Sequence, residues 1–236
     1  MRLFLVFVAA CGSSATSDPD APPAPSPDAA VAAPDGAADA GPPPIDAACA
    51  RHHVVYLDYD GGVYRPGLES SINDTSSILQ QQTAFAAWPH ANQDAITACV
   101  RGALAPYDVE VVTIDPGNAR HVEIVMSTKA PESSIAIAPF TCDPIVNGIG
   151  FVGGDLLGDD PTSGCDGALY AIGLIEGLEP VEDCADAVTQ CGTFGARTYV
   201  DASSPCDQPN NACLCGGTTA NHHAQMIEAL GAATCP

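Results

Sequence analysis

Cysteine is the residue that most limits how this chain can fold. The sequence contains 11 cysteines, and setting aside Cys11, which closes an N-terminal apolar segment, leaves an even number. Even cysteine numbers in an exported chain predict disulfide bonds, so we expect about five bridges. Their connectivity stays open, because so many cysteines allow roughly nine hundred pairings. The candidates are Cys49, Cys99, Cys142, Cys165, Cys184, Cys191, Cys206, Cys213, Cys215 and Cys235.

Export is predicted by residues 1–11, which carry one positive charge, a short apolar run, small residues and then cysteine. This layout is typical of a secretory signal peptide that ends in a bacterial lipobox, and the run is too short to span a bilayer. We predict that residues 1–10 are removed and that Cys11 becomes a lipid anchor in the bilayer. Gly12 rather than Asp follows, which by resemblance to bacterial lipoproteins favours the outer membrane. An ordinary secretory signal cut elsewhere is the alternative.

Residues 11–48 are rich in Pro, Ala and Asp and contain no Lys, Arg or aromatic residue. Such a segment cannot bury enough apolar surface to offset its ordering entropy, so we expect a disordered acidic tether. Residues 49–236 mix β-branched and aromatic residues with Gly, Asn and Pro, which predicts one globular domain.

The chain is strongly acidic, with a formal net charge of −22. So much negative charge repels phosphate backbones and anionic lipid headgroups. We therefore expect no nucleic-acid partner, and membrane attachment only through Cys11.

Hydrophobic periodicity predicts helices and strands that alternate along the domain. Strands are expected at residues 53–62, running into a tight Asp-Gly hairpin turn, and at 107–114, 121–126, 148–154 and 167–174. Helices are expected at residues 94–105, 181–194 and 221–230. This order predicts an α/β domain with a mixed, mostly parallel sheet and a C-terminal helix.

Several segments resemble bacterial zinc-metalloprotease lipoproteins of the metzincin-like group. They are Leu-Asp-Tyr-Asp-Gly-Gly at 57–62, Leu-Ala-Pro-Tyr-Asp-Val-Glu-Val-Val-Thr at 104–113, and the segments at 137–142 and 213–221. The resemblance covers most of residues 50–231 and implies a disulfide-rich, metzincin-like fold with an active-site-type helix.

The same resemblance would place the zinc-protease helix H-E-x-x-H-x-x-G-x-x-H at residues 181–198. Gly195 matches the motif glycine, but no metal ligand or general base is present. The positions of the frame are Val188 and Gly192 for the first two His, Thr189 for the Glu, Gly195, and Thr198 for the third His. The alternative is an ordinary amphipathic helix that carries Cys184 and Cys191.

Three other sites remain as alternatives. A relocated zinc site would use His222 or His223 with aspartates, or the cysteines Cys206, Cys213 and Cys215. A phosphatase-like set would consist of Asp58, Asp60, Lys129, Asp155 and Asp159. Calcium would bind the acidic loop of Asp155, Asp159, Asp160 and Asp166, although the EF-hand spacing is missing.

The sequence therefore predicts a surface-anchored lipoprotein with an inactive metalloprotease-like domain that binds an unidentified protein or peptide, without a cofactor. The alternative from the enzyme class is a hydrolase that uses a relocated metal site or the phosphatase-like aspartates.

The lipid anchor is tested by the substitution Cys11→Ser. We expect the variant to leave the membrane pellet on fractionation, because the thiol that accepts the lipid is gone. A variant that stays in the pellet like the wild type contradicts the anchor.

Overall fold

The centre of the fold is a mixed β-sheet of five strands. The computed structural model describes residues 51–233, so the predicted signal peptide, the tether, Cys11, Cys49 and Cys235 lie outside the described residues. The strands are β1 (His53–Asp58), β2 (Gly62–Pro66), β3 (Thr75–Ser76), β4 (Thr83–Phe85), β5 (Val109–Val112), β6 (Val122–Ser127), β7 (Ala136–Ile137), β8 (Ile149–Gly153), β9 (Ser204–Pro205) and β10 (Thr219–Ala220). The helices are α1 (Gln93–Leu104), α2 (Gly154–Leu157), α3 (Pro161–Ile175) and α4 (His222–Leu230).

The five strands of the central sheet lie in the order β5-β1-β6-β8-β7. The first four are parallel, and β7 pairs antiparallel with β8. The prediction of an α/β domain with a mostly parallel sheet is confirmed. The hairpin predicted after β1 is wrong, because β2 pairs with β3 and β4 in a separate small sheet.

Each face of the central sheet buries a different cluster of apolar side chains. Leu57, Ile124 and Val152 pack against α1 and α3 in the larger cluster. On the opposite face Phe151 lies against Phe85 of the small sheet, with ring centroids 4.7 Å apart. Burial on both faces explains why every residue of β6 and β8 is buried, rather than every second one.

Helix α3 occupies residues for which we predicted a strand at 167–174, and that prediction is wrong. The helix begins at an N-cap, where Asp160 accepts a hydrogen bond from the amide of Thr162, followed by Pro161 in the first turn. It packs so closely on the sheet that a Cβ added at Gly150 would lie 2.9 Å from the Ala171 Cβ. Because α3 is buried on most sides, its sequence lacks the apolar stripe of a surface helix.

The other regular elements follow the periodicity of the sequence. Helix α1 buries Ile96, Val100 and Leu104, and α4 begins one residue after its predicted start, with Asn221 as its N-cap. Strands β1, β5 and β8 lie within their predicted ranges, and β6 extends one residue past its predicted end at residue 126. None of the helices in residues 51–233 combines the length and apolarity that crossing a bilayer demands.

Within residues 51–233, four disulfide bonds join eight of the candidate cysteines. They are Cys99–Cys165, Cys142–Cys215, Cys184–Cys191 and Cys206–Cys213. The first joins α1 to α3 across 66 residues, whereas Cys184–Cys191 closes a separation of only 7. Since Cys206 and Cys213 are bonded to each other, a zinc site built from their thiolates does not exist in this oxidised form.

The difference in loop length predicts different losses of stability when each bridge is removed. Cys99→Ala/Cys165→Ala should lose about 4 kcal/mol of unfolding free energy, and Cys184→Ala/Cys191→Ala about 2 kcal/mol, because the longer loop restricts the unfolded chain more. Urea unfolding of both variants measures this. Equal losses would show that chain entropy does not govern these bridges.

Candidate functional site at the end of helix α3

Helix α3 ends in a turn that only glycine fits. Gly177 has φ +85°, in the left-handed region, and a Cβ there would lie 3.2 Å from the backbone carbonyl carbon and oxygen of Cys142. Both features favour glycine over any other residue. The turn directs the chain from α3 into Leu178, whose amide donates to the Gly173 carbonyl at 2.8 Å.

Two adjoining cavities open at this end of α3, and Glu176 lines both of them. The larger has a volume of about 360 Å³ and the smaller about 100 Å³. Carboxylates of Asp143 and Glu228 line the larger cavity, whereas Arg120 and histidines line the smaller one. We call the pair of cavities the α3 cleft. Its other lining residues include Pro144, Leu178, Gln225 and Ala229 on the larger side and His52, His53, His121 and Ile145 on the smaller side.

Glu176 is the one carboxylate shared by both cavities. The residue is only 9% exposed, and no hydrogen bond or ion pair joins its side chain to another residue within 51–233. Burial raises the pKa of the Glu176 carboxyl to about 7, and the nearby Arg120 opposes that rise. Burial and Arg120 both lower the pKa of His53, which lines the smaller cavity. A titratable carboxyl in a cleft is a candidate functional group.

Three other buried carboxylates hold the irregular chain that follows α3. Asp166 accepts the amides of Gly195 and Arg197 at 2.9 and 3.2 Å. Glu179 accepts the amides of Leu214 and Cys215. Because these acceptors are occupied by backbone donors, both side chains have a structural role rather than a free site.

Asp186 is the third of these carboxylates and connects three segments. Its Oδ1 accepts the Val188 amide at 2.8 Å and lies 2.7 Å from His222 Nδ1, while Oδ2 accepts the Val200 amide at 3.0 Å. His222 is buried, and its Nε2 has no partner among the described residues. The neighbouring His223 instead places Nδ1 2.8 Å from the Tyr107 hydroxyl. The two imidazoles of the predicted relocated zinc site therefore have separate partners.

The predicted protease helix at 181–194 is absent, and this prediction is wrong. Residues 181–200 are irregular, and the frame positions Val188, Thr189, Gly192, Gly195 and Thr198 do not lie on a helix. Seven residues of α-helix would separate two Cα atoms by about 10 Å, which is too far for a disulfide.

Bonded Cys184 and Cys191 have Cα atoms only 5.4 Å apart. The Asp186 carboxylate also accepts a hydrogen bond from the Val188 amide, which would bond to a backbone carbonyl if this segment were a helix. The cysteine spacing in the sequence could have revealed the conflict between helix and disulfide.

The phosphatase-like residues follow the ends of β1, β6 and β8, but their side chains are divided between buried and exposed environments. Asp58 is buried at the end of β1, where its Oδ1 accepts the amides of Asp60 and Gly61 at 2.9 and 3.2 Å. Lys129 and Asp155 are exposed. The acidic set predicted for calcium is also divided, since Asp160 caps α3 and the Asp166 carboxylate binds backbone amides.

Within residues 51–233, three potential metal ligands lie close together in one group that includes Glu179. Ligand atoms of Glu179, Cys206 and Cys213 lie within 4.8 Å of one another. The two cysteines form a disulfide and so offer no thiolate.

Sequence reasoning missed a buried cluster of Asp58, Tyr64 and Glu123 between the central sheet and the small sheet of β2, β3 and β4. The Tyr64 hydroxyl lies 2.7 Å from Glu123 Oε1 and 3.0 Å from Asp58 Oδ2, and it can donate its single proton to only one of them. Glu123 Oε2 is buried without a partner in the described chain. Burial raises the pKa of Glu123 to about 8, opposed by the Tyr64 hydrogen bond and reinforced by the charge of Asp58.

A scan against protein-family models found no match to this chain, and a search of curated proteins found no similar sequence.

The pKa of Glu123 predicts how pH affects stability. Because the folded carboxyl keeps its proton up to about pH 8 and the unfolded one loses it near the ordinary value of 4.5, the wild type loses stability as pH rises between these values. Glu123→Gln has no proton to lose. Relative to the wild type, we expect its unfolding free energy to increase by about 3 kcal/mol from pH 5 to pH 8.

Urea unfolding at both pH values measures the difference, with Glu110→Gln on the exposed side of β5 as the matched control. If Glu123→Gln and Glu110→Gln respond alike to pH, Glu123 is not held protonated.

Proposed function

We propose that this chain is a surface-anchored lipoprotein whose metalloprotease-like domain binds a peptide without cutting it. The anchor would be Cys11 in the outer membrane, and the acidic tether would hold the domain away from the bilayer. The ligand would bind in or beside the α3 cleft.

The observation that carries this proposal is that the glycine turn after α3 lies where the protease frame H-E-x-x-H-x-x-G-x-x-H requires its glycine. Gly177, with its positive φ, takes the glycine position just after the helix. Tyr170 and Leu174 then fall one helical turn apart at the first two His positions. Ala171 falls at the Glu position and Pro180 at the third His. The frame therefore agrees with a real helix and turn, which the later segment at 188–198 does not provide.

The residues at these positions do not fit zinc. Zinc in hydrolases is held by three side chains with N, S or carboxylate O donors, and the frame offers only one phenol, from Tyr170. Burial raises the pKa of that phenol to about 12, so it stays protonated at neutral pH. Ala171 has no carboxylate to act as a general base and is fully buried against the sheet. We therefore derive no metal-dependent step.

The rest of the fold is compatible with a metzincin-like domain. A mostly parallel sheet, a helix that ends in a glycine turn and a C-terminal helix α4 are the features that the resemblance implied. The resembling segment at 57–62 forms the end of β1 and its turn, and the one at 104–113 leads from α1 into β5.

A hydrolase with a relocated metal site is the competing function. Within residues 51–233 its best ligand group is Glu179 with Cys206 and Cys213, and the disulfide between the two cysteines removes their thiolates. No described contact favours the hydrolase.

Zinc content and proteolysis test the proposed function together. We expect the purified full chain to carry no stoichiometric zinc and to cleave neither casein nor a mixed peptide library. Tyr170→His/Leu174→His/Pro180→His should take up about one zinc, because it restores three imidazoles on the frame. The matched control Tyr170→His/Leu174→His lacks the third ligand and should bind zinc at least about tenfold more weakly.

Stoichiometric zinc in the wild type, together with cleavage that a chelator stops, would refute the non-catalytic function. If the triple variant folds and binds no more zinc than the double variant, the placement of the frame on α3 is wrong.

A further inference from the structure

We propose that the larger cavity of the α3 cleft binds an organic cation, namely the ammonium or guanidinium group of a Lys or Arg side chain in a peptide. This inference rests on the proposed binding function and names the chemistry of its ligand. The supporting observations concern the cavity lining, the state of Glu176 and the arrangement of the carboxylates.

The lining of the larger cavity combines negative charge with apolar surface. Glu176, Asp143 and Glu228 contribute carboxylates, and no Lys or Arg lines this cavity. Leu178 and Ala229 supply apolar surface beside these charges. A Lys or Arg side chain has the matching form, an aliphatic stem with a positive end. The volume of about 360 Å³ lies within the range of small-ligand pockets.

Glu176 gives an independent reason to expect a ligand. The residue is about nine-tenths buried, no donor within the described residues bonds to its carboxylate, and its oxygens keep contact with the cavity rather than being fully enclosed by protein. Burying a carboxylate without a partner is costly, so buried carboxylates normally have a paired charge or a hydrogen-bond donor. A ligand cation in the larger cavity would supply both.

The arrangement of the carboxylates favours an organic cation over a metal ion. Calcium requires several oxygen ligands that converge within about 2.6 Å of one point. The oxygens of Glu176, Asp143 and Glu228 do not form such a group, since the described residues bring three potential ligands within 4.8 Å only at Glu179, Cys206 and Cys213. Asp143 and Glu228 are exposed at the rim, whereas Glu176 lies inside. Spaced carboxylates suit an extended cation whose donors point in several directions.

Charge outside the cavity supports the same ligand. The net charge of −22 raises the local concentration of cations and repels anions. Arg120 lines the smaller cavity and lowers the pKa of Glu176, but it forms no ion pair with that carboxylate. The carboxylate is therefore free to pair with a ligand cation.

Isothermal titration calorimetry on the full chain in a mild non-ionic detergent tests the inference. The probes are Nα-acetyl-lysine amide, Nα-acetyl-arginine amide and the neutral analogue Nα-acetyl-norleucine amide. We expect both cations to bind and the norleucine analogue to bind at least about tenfold more weakly, because it lacks the charge. Glu176→Gln, which keeps the shape and removes the charge, should weaken cation binding about tenfold or more.

Matched variants separate the cavity from general charge effects. Glu132→Gln removes the same charge from an exposed loop outside the cleft and should leave the affinity unchanged. Asp143→Asn/Glu228→Gln should weaken binding by only about two- to fivefold, since exposed charges interact weakly. Circular dichroism and thermal unfolding of each variant establish that it is folded. To distinguish a peptide from a free amine, Ac-Gly-Lys-Gly-NH₂ is compared with cadaverine, and we expect the peptide to bind more tightly.

Equal cation affinity in the wild type and in folded Glu176→Gln would overturn the proposed site, as would binding of norleucine amide as tight as that of the cations. Tighter binding of cadaverine than of the peptide would overturn the peptide source. If the chain cleaves no substrate and binds none of these cations, this inference is wrong and the proposed function still stands. If the chain shows zinc-dependent cleavage, the proposed function is wrong.

Discussion

The close approach of α3 to its neighbours is the constraint on which the rest of the structure depends. Small residues allow this approach on two sides: Gly150 of β8 faces Ala171, and a Cβ at Gly173 would lie 2.2 Å from Val188. The helix is thereby enclosed between the sheet and the irregular chain after it. Its carboxyl end, where Glu176 and Gly177 meet the two cavities, is fixed by the same packing.

Local sequence pattern predicted the elements that have one buried face. Helix α1 shows an apolar stripe that ends at Leu104, and β5 begins with alternating buried and exposed residues. The pattern failed for α3, because a helix buried nearly all round has no stripe and its glycines imitate a strand bounded by turns. It failed again at 181–194, where the Cys184–Cys191 disulfide and the Asp186 side chain replace the helical hydrogen bonds.

The candidate site was less predictable than the fold, since its properties come from tertiary contacts. Glu176 follows an apolar run and has no motif of its own in the sequence. Its burial comes from segments distant along the chain, including Asn147, Arg120 and Ala229, which line the same cavity. A pKa raised by desolvation therefore leaves no mark in the local sequence. Glu123 is a similar case, because the tyrosine that bonds it belongs to β2.

The binding role assigned to the α3 cleft is tested most directly by carbon-detected NMR of the Glu176 carboxyl group during a pH titration. In the free protein we predict a titration midpoint of about 7. With saturating Nα-acetyl-lysine amide the midpoint should fall by about one unit or more, because a neighbouring cation stabilises the charged carboxylate. A midpoint near 7 that does not change in the presence of the ligand would contradict a cation-binding cleft at the end of α3.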